Sequence, residues 1–67
     1  MTIPAGEIAE SRDILADIER QIVLQGQLIE ICRATGRPTH PATRKLVALT
    51  QMADRKRDHI RVMTQNA

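Results

Sequence analysis

Apolar residues recur at alternating spacings of three and four along two stretches of the chain. Ile8, Ser11, Leu15, Ile18, Ile22, Gln25, Ile29 and Cys32 form the first line. Ala42, Leu46, Leu49, Ala53, Lys56, Ile60 and Met63 form the second. Such spacing puts every member on one side of an α-helix and makes a heptad seam. In the first line, six of the eight positions are apolar or soft, the exceptions being Ser11 and Gln25. Lys56 is the one charge in the second, where its stem can lie along a core while its ammonium reaches water. β-branched residues fall at helical spacing, not in period-2 alternation, so no strand is predicted.

Between the two lines lies Thr35-Gly36-Arg37-Pro38-Thr39-His40-Pro41. Gly36 suits a helix C-cap, because without a Cβ it adopts the left-handed conformation at little cost. Pro38 steers Arg37 away from helical angles. Thr39 is then placed to cap a second helix through its hydroxyl, with Pro41 in the first turn, where a missing donor costs little. The pattern predicts one all-α domain over residues 1–67: helix over about 4–35, a turn at 36–39 and helix over about 40–64. Thr2-Ile3-Pro4-Ala5-Gly6 reads as an irregular lead-in with Thr2 as a cap, and Gln65-Asn66-Ala67 as a frayed tail.

Charge favours folding the second helix back antiparallel to the first. Residues 7–19 carry Glu7, Glu10, Asp13, Asp17 and Glu19 against Arg12 alone. Residues 54–61 carry Arg55, Lys56, Arg57 and Arg61 against Asp54 and Asp58. A coiled-coil-like hairpin sets these opposite signs side by side at its open end, where they select orientation and register more than they stabilise.

Such a hairpin has one interface, and a chain of 67 residues with no aromatic side chain builds little core around it. Chains this short usually need a staple. The single cysteine cannot form an internal disulfide, and no ligand set for a structural metal is visible. Val23, Leu24, Leu28, Ile31, Val47 and Met52 lie beside or beyond the seams and are expected to carry self-association. Two hairpins would then pair into a homodimeric four-helix bundle.

The chemistry-bearing residues are few. Cys32 and His40 flank the turn, and His59 lies more than about 20 Å along the rod at about 1.5 Å per residue. Cys32 therefore reads as a small seam hydrophobe and His40 as a turn residue in water. A thiolate at Cys32 is disfavoured by the negative end of the helix dipole. Ser11 falls on the seam without a histidine nearby. Asp13 and Asp17 are i,i+4 neighbours on a solvated face, without the pocket that would separate two carboxyl pKa values. Glycines 6, 26 and 36 do not form a phosphate loop. These readings predict no catalytic residue, no metal and no cofactor. Gly26, mid-helix, is either a close-crossing or hinge position or an imperfection on an exposed face. Gln25 on the seam is a candidate to bond its own symmetry mate.

Residues 39–64 hold six basic and two acidic side chains, a net charge of +4. A second functional reading is therefore an RNA- or DNA-binding bundle that uses Arg44, Lys45, Arg55, Arg57 and Arg61 on phosphates. Against it stand the missing aromatics, which would stack bases, and the interruption by Asp54 and Asp58. A third reading is a small inhibitor or adaptor that docks on a larger protein and completes its fold there. No run approaches the roughly 20 apolar residues of a membrane span, and no basic region followed by an apolar stretch marks a secretory signal. No membrane partner is expected, and the lone cysteine fits a cytoplasmic setting.

Ile18-Glu19-Arg20-Gln21, Gln27-Leu28-Ile29, the Gly36-centred turn with Thr39 and Ala42, Leu46, and the Arg57-Asp58 ending form one further pattern. It resembles a set of short helical-hairpin proteins common in alphaproteobacteria, which show an Arg-Gln first helix, a Gly-His-Asp-Thr-like turn and an Arg-Asp ending. The resemblance covers about two-thirds of the chain and departs at the turn, where Arg37-Pro38 stands in place of His-Asp. It implies a bacterial cytoplasmic hairpin and supplies no catalytic residues.

Overall fold

In the computed structural model, which describes residues 5–66, helix α1 spans Ala5–Ala34 and helix α2 spans His40–Gln65. The described residues are helical apart from the short connection and Asn66. Helix α2 returns along α1, bringing Glu19 to Arg57 and Gln25 to Ala42. The result is a rod of 54 × 15 × 12 Å with a radius of gyration of 15.6 Å. A compact globule of this length would have a radius of gyration of about 11 Å. Ala5 and Gly6, expected in the lead-in, are already helical, while Thr2 and Ala67 lie outside the described residues.

The two seams are the core. Every residue of both lines is buried or half-buried, with Ala53 completely enclosed. Lys56 is half-buried, as a lysine whose stem lies along the core should be. Gln25, 7% exposed, donates its side-chain N–H to the backbone carbonyl of Ala42 at 3.1 Å. One of its two amide N–H donors is thus used inside the hairpin. That bond crosses from α1 to the first turn of α2 and fixes their relative height.

The turn closes through paired backbone bonds. The Arg37 amide donates to the Cys32 carbonyl at 2.8 Å and the Gly36 amide to the Arg33 carbonyl at 3.3 Å. Gly36 sits at φ 72°, so the pair forms a Schellman cap with glycine at the left-handed position. Thr35 adds a side-chain bond, its hydroxyl donating to the Ile31 carbonyl at 2.8 Å.

Thr39 differs from expectation. It occupies the N-cap position of α2, but its hydroxyl makes no capping bond and its backbone is already helical at φ −96°, ψ −12°. A capping side chain needs an extended backbone to reach the orphan amides. Here Pro41, in the first turn, has also removed one of those donors. The Thr39 carbonyl instead accepts from both the amide and the hydroxyl of Thr43, each at 2.9 Å.

Candidate functional site: one apolar face of the hairpin

A helix turns about 100° per residue, so a three–four line displaced from the seam marks a second, parallel stripe. On α1 this stripe is Glu7, Glu10, Ile14, Asp17, Gln21, Leu24, Leu28 and Ile31. On α2 it is Lys45, Ala48, Met52, Arg55, His59 and Val62. Two grooves between the helices show that the stripes share one face. The larger, ≈ 370 Å³, is lined by Ile14, Ile18, Met52, Arg55, Lys56 and His59. The smaller, ≈ 250 Å³, is lined by Gln21, Leu24, Gln25, Lys45 and Leu49.

Six large hydrophobic side chains stand on this face: Ile14, Leu24, Leu28, Ile31, Met52 and Val62, between 41% and 63% exposed. Helical geometry separates them from the other two exposed ones, Val23 and Val47, which fall on the opposite flank of their helices. Apart from those two valines, that opposite face is largely polar, and several of its polar groups are satisfied from within. Thr43, Thr50 and Thr64 turn their hydroxyls onto the carbonyls of Thr39, Leu46 and Ile60 at 2.8–2.9 Å. Arg57 crosses to Glu19 at 3.4 Å. Four of the six residues read from the sequence as self-association positions, Leu24, Leu28, Ile31 and Met52, thus come together on one side. Ile14 and Val62, not among the residues read from the sequence as self-association positions, join them.

The charges pair differently from the expected facing rows. Glu19–Arg57 is the one ion pair between the helices among the described residues. The others are i,i+3 neighbours: Asp17 with Arg20, Glu30 with Arg33 at 3.0 Å, Asp54 with Arg57 at 2.9 Å and Asp58 with Arg61 at 3.1 Å. A partner one turn away is always within reach, whereas a cross-helix partner needs matching flank positions. Within the basic second helix, Arg57 and Arg61 are thus paired one turn back along their own helix, and Arg57 also reaches α1.

The five cations read as phosphate contacts do not share a face. Lys45 and Arg55 line the two apolar-face grooves, while Arg57 reaches Glu19 on the other side. Arg61 is held by Asp58, and Arg44 points outward between the faces. Cys32 is a half-buried free thiol on the seam, with no hydrogen bond to His40, and His59 lines the groove near the open end. Among the described residues, no three of His, Cys, Asp and Glu gather to hold a metal ion, and no helix is long and apolar enough to cross a membrane.

No protein family matches the chain, and no characterised protein or solved structure shows significant similarity to it.

Proposed function

We propose that this protein is a non-enzymatic, self-associating helical hairpin, whose working form is a homodimeric four-helix bundle that serves as a small interaction or regulatory unit. The observation that carries the reading is the division of its surface. Six large hydrophobics crowd one face, while the other satisfies several of its own polar groups. Isolated exposed hydrophobics are ordinary, but six gathered on one face of two helices mark an interaction surface. The surface area agrees. The chain exposes 5091 Å², and a folded monomer of 7.5 kDa typically exposes about 4,200 Å². The excess of about 900 Å² is comparable to the roughly 800 Å² one partner contributes to a standard interface.

Leu28→Lys tests the reading. It places a charge between Leu24 and Ile31, in the most apolar part of the α1 stripe, and burying an unpaired charge costs several kcal/mol. Light scattering is expected to show the substituted chain as a monomer at concentrations where the unsubstituted chain is a dimer. An unchanged dimer mass would take this face out of the interface. The scattered cations lend no support to the phosphate-binding reading. Mobility-shift assays with mixed RNA and DNA at about 50 mM salt, where backbone contacts are strong, should show no retardation.

A further inference from the structure

We infer that the second copy docks with its turn at the same end of the bundle, α1 of each hairpin lying against α2 of the other about a two-fold axis parallel to the helices. The inference rests on the self-association proposed above and goes beyond it by assigning the orientation.

Two face-to-face arrangements satisfy two-fold symmetry. With turns at opposite ends, α1 packs on the partner's α1 and α2 on the partner's α2. With turns at the same end, α1 packs on the partner's α2. The charges within the docking stripes distinguish them. The α1 stripe carries only carboxylates, Glu7, Glu10 and Asp17, and the α2 stripe carries only cations, Lys45 and Arg55, apart from His59. Opposite-end packing brings Lys45 and Arg55 against the partner's Lys45 and Arg55 with no carboxylate in that stripe. Same-end packing sets the acidic stripe against the basic one.

Heights match as well. Arg55 lines the same groove as Ile14 and Ile18, so it stands level with Asp17. A two-fold axis parallel to the helices preserves height and therefore brings the partner's Arg55 to the level of Asp17. Arg55 forms no ion pair among the described residues. Asp17 meets Arg20 on its own helix, but both side chains are more than 60% exposed, so that pairing is weak and leaves Asp17 able to exchange partners. The same operation brings the partner's Ile14 and Met52 opposite the ≈ 370 Å³ groove that Ile14 and Met52 themselves line. Packing of this kind would fill the groove with apolar side chains.

The test is a distance measurement between spin labels on the full-length chain with Cys32→Ala. One label goes on Arg37→Cys, at the turn, and a second variant carries it on Asn66→Cys, at the open end. Sedimentation is run on the same samples. Same-end packing predicts dimer mass with both like-label pairs under about 25 Å, two to three helix widths of 8–10 Å. In mixed samples, the turn-to-open-end distance between copies should be about 40 Å, the length of a 26-residue helix at 1.5 Å per residue. Dimer mass with the reverse pattern would overturn the orientation and leave self-association standing. Monomer mass with no dipolar coupling in either variant would overturn both. Circular dichroism on each labelled sample identifies a variant that has not folded, and the other label position then decides.

Discussion

Gly36 and Gly26 look alike in the sequence and behave as opposites in the fold. Gly36 holds φ 72°, which an L side chain rarely adopts, although a Cβ there would meet nothing within 4 Å. Gly36→Ala should therefore destabilise through backbone strain alone, by about 1–2 kcal/mol. Gly26 lies inside α1 with ordinary helical angles, and a Cβ there also meets open space, so α2 does not approach it closely. Gly26→Ala should stabilise by about 1 kcal/mol, because glycine is the poorer helix former. In a chain of this size, about 1 kcal/mol moves the melting temperature by roughly 4–8 °C. Thermal melts at one fixed protein concentration are the check, since a dimer's melting temperature depends on concentration. A lower melting temperature for Gly26→Ala would mean that something outside the hairpin packs against Gly26. The role of Gly36 was legible in the sequence, because Thr-Gly-Arg-Pro after an apolar seam has few other uses. The role of Gly26 was not, since what crosses a glycine is decided by the neighbouring helix. Gln25 belongs to the same class. Its seam position was plain, but its partner, the Ala42 carbonyl, emerges only once the register is known. That carbonyl lies within α2, where the helix ladder supplies its usual partner. Gln25→Leu should therefore cost no more than about 1 kcal/mol in urea denaturation and leave the association state unchanged. A change in dimer mass would show that Gln25 also serves the contact between copies.

Each helix owes its existence to a strict three–four seam, and all fifteen seam positions are shielded as that spacing requires. The helix ends flanking the turn were legible to within a residue or two because the Schellman cap at Gly36 and the prolines after it are local devices. The Thr39 cap was misread for the same reason. Thr39 has the right residue type at the right position, but its backbone had already turned helical, and a sequence does not display φ and ψ. The pairing of charges was also only half visible. Composition showed opposite signs at the open end, but a carboxylate one turn away competes with one on the next helix. Among the described residues, only Glu19 and Arg57 come within ion-pair distance across the helices. That pair is 3.4 Å apart with both side chains about half exposed. Glu19→Gln should accordingly change stability by less than about 1 kcal/mol, measured by urea denaturation at low salt. A larger loss would mean that the cross-helix pair, and not the seam, sets the antiparallel register.

For the whole molecule, the decisive feature is the asymmetry between its two broad faces. The sequence showed a surplus of apolar residues, and it overlooked how that surplus divides, because Val23 and Val47 look like Leu24 and Met52 until helical phase and register are combined. On the face with Ile14, Leu24, Leu28, Ile31, Met52 and Val62, contact with water is extensive. On the other, three threonines bond back to their own helix and one ion pair ties the two helices together. Val23→Lys and Leu28→Lys make the contrast testable, since both replace an exposed aliphatic residue of α1 with the same cation. The Val23 variant should keep the dimer within about threefold of its original dissociation constant, a shift of well under 1 kcal/mol. The Leu28 variant should weaken it by at least about 100-fold, or ~2.7 kcal/mol. Equal effects from the two would mean that association does not distinguish the faces.

Sedimentation equilibrium of the unmodified chain over a dilution series addresses the central claim most directly. The account predicts a mass twice the 7.5 kDa of the chain at high concentration. On dilution, the mass should fall toward the single-chain value as helicity and melting temperature decline with it. A particle that stays at 7.5 kDa at every concentration, fully helical and melting well above room temperature, would contradict the account, because the exposed face would then need no second copy to cover it.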